Sequence, residues 1–404
     1  MTAAPSPVDV LVIGAGIAGA SVGYALARAG RRVRLLEREE HPGYHSTGRS
    51  AALFSETYGP LPVRRLSTAS RPFLEAPPPG FADTPLLGPR GLMFLGEPGH
   101  EDAVEAFAAE ARAGGAVVEV LDDAGLRDRV PILRPGVFSR AALEPEAMDL
   151  DVHSLHHGFL RGLKAAGGLV STRAEAAAIT RSGDLWHVET RAGARFAAPI
   201  LVNAAGAWAD EIAVLAGAAP LGLVPKRRTG IMLDPPLGLD VRRWPLTGDL
   251  TDQFYIKPEG GRLMLSPADA TPVPPQDVQP EVLDIARAMD RFLSVTTLRV
   301  DTHGETWAGL RNFVADHDPV AGFAAEAPGF FWLAGQGGYG IQTAAALGRL
   351  AAALIQDQGV PPDIADLGLT ADDLAPGRTG LRDGPAWAAR LQDEARARAE
   401  AEAL

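Results

Sequence analysis

The first fifty residues constrain the fold most, because a short apolar run leads there directly into a glycine pattern. The run VLVI, residues 10–13, has the length and composition of a buried strand. The pattern GAGIAG, residues 14–19, follows at once and opens a helical stretch that ends near Gly30. A second apolar run from Val33 to Leu36 ends in Glu37. This order predicts a βαβ unit.

Each part of the unit suits an adenine dinucleotide. Gly14 permits a tight turn, Gly16 lets the backbone approach a pyrophosphate, and Gly19 lets helix and strand pack closely. The helix N-terminus offers free N–H groups and partial positive charge to the phosphates. Glu37 follows about twenty residues on, where it can accept hydrogen bonds from a ribose hydroxyl. The unit predicts a dinucleotide site without distinguishing FAD from NAD.

Composition narrows the class of protein. A chain of 404 residues exceeds the usual single-domain range, which favours two domains. The net charge of −12 and the pI near 5.3 argue against nucleic acid as a partner and favour a soluble protein. The absence of cysteine excludes disulfides, thiolate catalysis, iron–sulfur ligation and a flavin linkage through sulfur. We see neither a signal peptide nor a membrane span, so we expect a cytoplasmic enzyme.

The segment after the βαβ unit distinguishes the two cofactors. HSTGRSAA, residues 45–52, is polar and contains glycine, and we expect a helix to begin after its second and third residues. Together with the glycine pattern, this run resembles the D-amino-acid oxidase superfamily of FAD enzymes, and most closely the bacterial D-arginine dehydrogenases. The resemblance implies non-covalent FAD lying along this segment. The alternative is that STGRS merely caps a surface helix.

The resemblance continues in order to about residue 364. LVNAAGAWAD, residues 201–210, predicts a buried strand and a glycine turn beside the adenine half of the cofactor. GFFWLAGQGGYGIQ, residues 329–342, predicts a strand from Phe330 to Ala334, a glycine-rich loop and a helix from about Ile341. In the family this helix directs its N-terminus at the flavin pyrimidine ring, where it stabilises the negative charge of reduced flavin.

These motifs and the resemblance together give the predicted cofactor residues. They are Gly14, Gly16, Ile17, Ala18, Gly19, Glu37, Arg38, Ser46, Thr47, Ser50, Ala51, Ala52, Ala174, Ala205, Gly206, Trp208, Arg311, Gly337, Gly338, Tyr339, Gly340, Ile341 and Gln342.

Four further positions match residues that the family places around its substrate. Arg228, Tyr255 and Arg311 correspond to residues that hold the substrate carboxylate, and Tyr58 resembles an active-site tyrosine. Two arginines can clamp a carboxylate with paired, charge-assisted hydrogen bonds and orient the Cα–H toward flavin N5. Without the family match, Arg228 would be read as a solvated strand residue and Tyr58 as a half-buried aromatic at a domain joint.

The predicted substrate pocket also contains Leu53, Leu92, Gly338 and Gln342. The D-arginine dehydrogenases have a histidine at the position of Leu53 and, at that of Leu92, a glutamate that meets the substrate guanidinium. An apolar wall beside a guanidinium costs on the order of several kcal/mol, which disfavours a cationic substrate. We expect hydrophobic D-amino acids such as D-leucine, D-methionine or D-phenylalanine.

One helical stretch carries three histidines. Asp151 is a plausible N-cap for a helix with His153, His156 and His157. Their spacing could meet a metal, but no further ligand cluster is evident and the family uses no metal, so we predict no metal site.

The expected fold is α/β, with a discontinuous Rossmann-like FAD-binding domain and an α+β substrate domain built on an antiparallel or mixed sheet. The stretch DQFYIKPEGGRLMLSP, residues 252–267, predicts a hairpin of the substrate domain with its turn at the two glycines. The predicted bounds are 1–57, 145–218 and 306–365 for the FAD-binding domain, 58–144 and 219–305 for the substrate domain, and 366–404 for a charged tail that is helical or disordered.

The resemblance implies oxidative deamination of a D-amino acid by hydride transfer from Cα to flavin N5, giving an imino acid. The same fold oxidises N-methyl amino acids, glycine and 2-hydroxy acids, all of which carry a carboxylate. From another class, the chain could be a flavin-binding protein without turnover. The sequence leaves open whether the enzyme is an oxidase or a dehydrogenase and whether its acceptor is a quinone, a protein or O2.

Overall fold

The computed structural model describes residues 8–300 and 302–381. Its α-helices are α1 (Ile17–Arg28), α2 (Leu61–Glu75), α3 (Glu101–Ala113), α4 (Asp123–Arg129), α5 (Val152–Ala165), α6 (Ala209–Leu215), α7 (Val282–Val295), α8 (Ala344–Ile355) and α9 (Pro362–Ala365). Short 3-10 helices span Gly206–Trp208 and Asp372–Leu374.

The strands occur partly between these helices and partly in consecutive runs, the longest of which is β9 to β13. They are β1 (Val10–Ile13), β2 (Val33–Leu36), β3 (Leu53–Phe54), β4 (Leu87–Pro89), β5 (Leu92–Gly96), β6 (Glu119–Asp122), β7 (Arg140–Glu144), β8 (Met148–Leu150), β9 (Leu169–Ser171), β10 (Ala176–Ser182), β11 (Leu185–Thr190), β12 (Arg195–Ala198), β13 (Ile200–Asn203), β14 (Val224–Leu233), β15 (Leu246–Asp249), β16 (Tyr255–Glu259), β17 (Arg262–Ser266), β18 (Thr306–Phe313), β19 (Val320–Phe323) and β20 (Phe330–Ala334).

A six-stranded sheet carries the predicted dinucleotide unit. Its strand order is β19-β20-β13-β1-β2-β9, and every pairing is parallel except that of β19 with β20. The predicted βαβ unit is confirmed, with Val10 beside Val33 and Ile13 beside Leu36. Strand β1 is buried along its whole length because α1, α5 and α8 cover one face of the sheet. The carboxyl ends of β1, β2 and β13 therefore meet at one edge.

An eight-stranded sheet, in the order β18-β14-β17-β16-β15-β5-β7-β6, forms the second large layer. Its pairings are antiparallel except that of β15 with β5. The predicted hairpin is present, because β16 and β17 pair around Gly260 and Gly261. Helices α4 and α7 contribute to the core on one face of this sheet. The predicted α/β class, with an antiparallel and mixed sheet beside a parallel one, is confirmed.

Two smaller sheets complete the described chain, one of β10-β11-β12 and one of β3-β8-β4. Helix α2 lies within the stretch assigned to the substrate domain, yet its Leu66 and Leu74 share a core with β1 and α8. The six domain bounds stay a prediction. No helix in the described ranges is both long and apolar enough to cross a membrane.

Three local predictions need correction. The helix expected after Ser46 and Thr47 is a series of turns over residues 42–49. The helix expected from about Ile341 begins at Ala344, after a turn over residues 340–343. The expected helical or disordered tail is wrong for residues 366–381, because Leu369, Leu374 and Leu381 are buried in the core. Residues 382–404 of that tail lie outside the described ranges.

Candidate active site

A cavity of about 450 Å³ extends from the glycine turn after β1 to the face of the eight-stranded sheet. It is lined at one end by Gly14 and Glu37 and at the other by Arg228 and Tyr255. Every predicted site residue except Gly19 and Tyr339 lines this cavity. Gly19 instead packs α1 against the turn, since a Cβ there would lie 2.0 Å from the carbonyl oxygen of Gly14.

The glycine turn fits the pyrophosphate and ribose of a dinucleotide. Gly14 has a φ of +97°, and a Cβ there would lie 2.4 Å from the carbonyl oxygen of Ala204. The Glu37 side chain is buried, and its Oε2 accepts a hydrogen bond of 2.9 Å from the N–H of Ala15. A carboxylate has lone pairs to spare, so Glu37 can still accept from ribose hydroxyls. Backbone and acid thus form a cradle that a larger residue would fill.

Residues 42–49 form turns because they are bonded to the start of α1 and to the eight-stranded sheet. The N–H of Gly48 donates to the carbonyl of Gly43 at 2.7 Å. Thr47 Oγ1 accepts from the N–H of Ile17 at 3.0 Å, and Ser46 Oγ donates to the carbonyl of Leu310 at 2.7 Å. These long-range bonds replace the local bonds that a helix would make. The segment still lines the cavity over its predicted contact residues.

At the end of the cavity predicted for adenine, Arg38 and His45 pack against the indole of Trp208. The Arg38 guanidinium lies 4.6 Å from the Trp208 ring centroid, and the His45 and Trp208 ring centroids are 4.6 Å apart. Ala174 and Gly206 complete this end. Cation–π contact fixes both the arginine and the indole in place.

The glycine-rich loop after β20 closes the cavity from the other side. Its Gln342 was predicted to contact the flavin, but both ends of its side-chain amide are bonded to protein. Oε1 accepts from the N–H of Ser55 at 3.2 Å, and Nε2 donates to Ser67 Oγ at 2.9 Å. Thr343 precedes the first residue of α8 and is buried. Gln342 therefore connects this loop to the segment that carries Tyr58.

Two arginines face the cavity without a carboxylate partner among the described residues. Arg311 Nη2 donates to the Tyr58 hydroxyl at 2.8 Å. Gly338 makes room for this guanidinium, because a Cβ there would lie 2.1 Å from the same nitrogen. The Arg228 guanidinium lies 5.9 Å from the Tyr255 ring centroid, and its Nε is buried without a hydrogen-bond partner in the described chain. Both guanidinium groups can therefore bind an anion that enters the cavity.

The Tyr339 side chain does not line the cavity. Its ring packs edge-on against Tyr58, with the centroids 5.1 Å apart. Burial, followed by the proximity of Tyr58, raises the pKa of Tyr339 to about 12, so the phenol stays protonated. Tyr339 therefore supports Tyr58 from behind.

An apolar wall lines part of the cavity that the two arginines also line. It is formed by Leu53, Leu92, Phe94, Leu246 and Met264. Leu92 is 3% exposed and pairs with Leu246 of the neighbouring strand. In the described chain this wall has no carboxylate at the two positions where the D-arginine dehydrogenases carry polar groups.

One buried acid beside the cavity was missed from the sequence. Glu144 accepts from Ser55 Oγ at 2.7 Å, from Thr57 Oγ1, and from the N–H of Glu56 at 3.3 Å. It has no cationic partner within the described ranges, and burial raises its pKa. The sequence signal is an acid that directly follows the apolar run of β7.

The three histidines of α5 are not equivalent. His153 is exposed, whereas His156 is buried and its Nε2 lies 2.8 Å from the carbonyl oxygen of Ala15. Within the described part of the chain, no group of three or more histidine, aspartate or glutamate side chains could hold a metal ion.

The fold and the cavity define a flavin-dependent oxidoreductase. A sequence profile of the DAO family, described as FAD dependent oxidoreductase, matches residues 9–354. The chain belongs to this family, and its cofactor is FAD. The recognition of the superfamily is thereby confirmed, while the closer resemblance to bacterial D-arginine dehydrogenases stays a prediction.

Known proteins with the same fold differ in their substrates. Glycine oxidase of Geobacillus kaustophilus (strain HTA426) is 26% identical over 375 residues, which cover 90% of this chain and 96% of that protein. The structure of L-proline dehydrogenase from P. horikoshii is similar with a TM-score of 0.77 and 20% identity, covering 87% of this chain and 95% of that one. The structure of L-alpha-glycerophosphate oxidase from Mycoplasma pneumoniae, with FAD bound, is similar with a TM-score of 0.79 and 17% identity. The match covers 87% of this chain and 95% of that one.

Proposed function

We propose that this enzyme oxidises hydrophobic D-amino acids to imino acids. The observation that carries the proposal is that Arg228 and Arg311, which form no ion pair with a carboxylate among the described residues, share one cavity with an apolar wall. The D configuration is supported by the resemblance of HSTGRSAA, residues 45–52, and the glycine pattern before it to the D-arginine dehydrogenases.

The arginines suit the carboxylate of an amino acid. Each guanidinium can donate two parallel N–H bonds to a carboxylate, and such bonds are about twice as strong as neutral ones. Arg311 is held by Tyr58 and enclosed by Gly338, so its orientation is fixed before substrate binds. A preorganised pair of cations orients the substrate Cα–H, which lowers the entropic cost of the reaction.

The wall formed by Leu53, Leu92 and their neighbours suits an apolar side chain. Each buried methylene contributes about 0.8 kcal/mol, so a D-leucine side chain is favoured over none. A guanidinium against Leu53 and Leu92 would lose water without gaining a partner from them. Two aspartates also line the cavity: Asp249 is paired with Arg291 at 3.2 Å, and Asp252 lies on the exposed turn after β15. The wall therefore supports hydrophobic substrates over D-arginine and over glycine.

FAD held by the glycine turn after β1, Glu37 and the loop after β20 would supply the acceptor for the hydride of the substrate Cα–H. The protein positions the substrate, and the imino acid is hydrolysed by water after release. The amine must be neutral, and its proton leaves to solvent or through the hydroxyls of Tyr58 or Tyr255 and water, so no dedicated base is needed. Both hydroxyl-bearing side chains line the cavity.

A second candidate is oxidation of glycine, an N-methyl amino acid or a 2-hydroxy acid. The carboxylate clamp fits all of these, and the glycine oxidase of Geobacillus kaustophilus is 26% identical to this chain. The third alternative is a flavin-binding protein without turnover. It does not explain why Arg228 and Arg311 both line the cavity.

Anaerobic mixing of the yellow holoenzyme with panels of D-, L- and N-methyl amino acids and 2-hydroxy acids tests the proposal. We expect bleaching of the visible flavin band by D-leucine, D-methionine and D-phenylalanine, and slower bleaching by D-arginine. Faster turnover with D-arginine than with D-leucine would overturn the proposed side-chain preference. Bleaching by no compound would favour the non-catalytic alternative.

Electron transfer out of the enzyme is tested in the same cuvette. We propose a cytoplasmic enzyme that passes its electrons to a quinone, a protein or O2. Rapid return of the yellow colour when air is admitted would identify an oxidase. Return only with a quinone analogue or an artificial dye would identify a dehydrogenase.

A further inference from the structure

One buried histidine has no part in the proposed reaction. His156, on α5, is 3% exposed and does not line the cavity. A fully buried imidazole must satisfy its polar atoms within the protein. Its neighbours on the helix, His153 and His157, are exposed.

The imidazole bonds to the glycine turn of the cofactor site. Nε2 of His156 lies 2.8 Å from the carbonyl oxygen of Ala15. A carbonyl oxygen only accepts, so Nε2 carries the proton and donates it. The N–H of the same residue, Ala15, donates to Glu37 Oε2 at 2.9 Å. Both polar groups of Ala15 are therefore fixed by buried side chains.

This bond sets the direction of the next N–H group. The described chain has no cis peptide bond, so the N–H of Gly16 points opposite to the carbonyl of Ala15. His156 holds that carbonyl on the side away from the cavity, whereas Gly16 lines the cavity. Rotation of this peptide would turn a negative carbonyl toward a phosphate in place of a positive N–H.

The same ring contacts the second cofactor segment. A Cβ on Gly43 would lie 2.9 Å from Cε1 of His156, so the ring packs directly against that glycine. The carbonyl of Gly43 accepts from Gly48, which closes the turn that contains Thr47. Thr47 in turn accepts from the N–H of Ile17 at the start of α1. His156 therefore lies at the junction of the two turns.

We propose that His156 is a positioning residue for FAD: its Nε2–H holds the Ala15 peptide so that the Gly16 N–H faces the pyrophosphate, and its ring aligns the turn over residues 43–48. The inference depends on FAD binding and is independent of which substrate the enzyme oxidises. Burial keeps the imidazole neutral, since it lowers the pKa of His156 to about 4.

Release of FAD from purified holoenzyme tests this role. H156M removes the donor and keeps a side chain of similar size, H156Q keeps an N–H donor at a similar reach, and H153Q is the matched exposed control on the same helix. Free FAD is measured by its fluorescence after dilution, and folding is followed separately by far-UV circular dichroism. We expect the FAD dissociation constant to rise about tenfold or more in H156M, to stay within about threefold in H156Q, and to be unchanged in H153Q.

Two results would overturn the proposal. If H156M holds FAD as tightly as wild type, the histidine only fills space. If H156Q weakens FAD as much as H156M, the hydrogen bond has no role. Nitrogen NMR of histidine-labelled wild-type holoenzyme adds a readout that does not depend on FAD affinity: the signal that is missing from the H156Q spectrum should be that of an Nε2–H imidazole. An Nδ1–H form at this position would equally contradict the proposal.

Discussion

Two consecutive arginines on β14 have opposite environments. Arg228 lines the cavity, whereas Arg227 is buried on the other side and pairs with Asp284 at 2.7 Å and Glu281 at 3.0 Å. Alternation along a strand sends neighbouring side chains to opposite faces of the sheet. The two arginines can therefore separate a role in activity from a role in stability.

We predict that R228M lowers kcat/KM about 100-fold, because two charge-assisted bonds to the substrate carboxylate are lost. FAD content and the midpoint of urea unfolding should stay close to wild type. R227M should do the reverse, lowering the free energy of unfolding by about 3 to 5 kcal/mol, since the buried Asp269 and the largely buried Asp284 lose their cationic partner. An R228M enzyme with full activity would show that this arginine does not hold the substrate.

Another residue, His156, makes the free energy of unfolding depend on pH, and the sign of this dependence follows from the burial of the imidazole. The pKa of His156 is lowered to about 4 in the folded chain, against an ordinary value of 6.5. Between these values the unfolded chain binds a proton that the folded chain does not, so the free energy of unfolding contributed by this group rises with pH. This contribution changes by about 3 kcal/mol between a pH well above the ordinary pKa and a pH well below the lowered one.

The measurement compares wild type with H156Q at saturating FAD. Urea unfolding at pH 7 and at steps down to pH 4 should show the advantage of wild type over H156Q shrinking as the pH falls. Other titrating groups cancel in this difference. A difference that does not vary with pH would mean that the imidazole is not held neutral.

Among the elements, the short segment from Ser55 to Tyr58 depends on one acid of a distant strand. Glu144 accepts hydrogen bonds from Ser55, Glu56 and Thr57, and this segment places Tyr58 against Arg311. Buried donors that lose their acceptor cost about 1 to 3 kcal/mol.

We predict that E144A lowers the free energy of unfolding by about 2 kcal/mol and raises the substrate KM about tenfold, because the Tyr58 segment loses its anchor. E146A is the matched control, since Glu146 is 55% exposed and its pairing with Arg71 spans 3.9 Å. Unfolding curves and steady-state kinetics measure both effects. Equal behaviour of the two variants would contradict an anchoring role.

Elements with a strong local pattern could be predicted from the sequence. Strand β20 spans Phe330–Ala334 as expected, and α5 begins after the predicted N-cap Asp151, whose carboxylate accepts from Ser154 at 2.8 Å. The turns over residues 42–49 could not be predicted, because bonds from Thr47 and Ser46 to distant residues override the local preference.

The same limit applies to the site. The glycine turn, Glu37 and the two arginines could be assigned because motif and resemblance mark them. His156 and Glu144 could not, because their partners lie 141 and 89 residues away along the chain. Nothing near either residue indicates what it will contact.

For the whole molecule, FAD binding and folding stability must be linked, because the cavity is built from residues of both large sheets. A ligand that binds only the folded chain at 100 times its dissociation constant adds about 2.7 kcal/mol to the free energy of unfolding. We predict a Tm that rises with FAD concentration and is unchanged by NAD. Thermal unfolding followed by circular dichroism checks both, and an equal response to NAD would contradict the assigned cofactor.

The position of β20 in the six-stranded sheet has a consequence for how the protein is made. This strand, residues 330–334, pairs with β13 and β19, and the loop after it closes the cavity. At about 5 to 20 residues per second, a ribosome takes tens of seconds to reach this point. During that time the glycine turn after β1 exists without the loop after β20 that closes the cavity. We expect a nascent chain to capture FAD only after more than four-fifths of it has been synthesised.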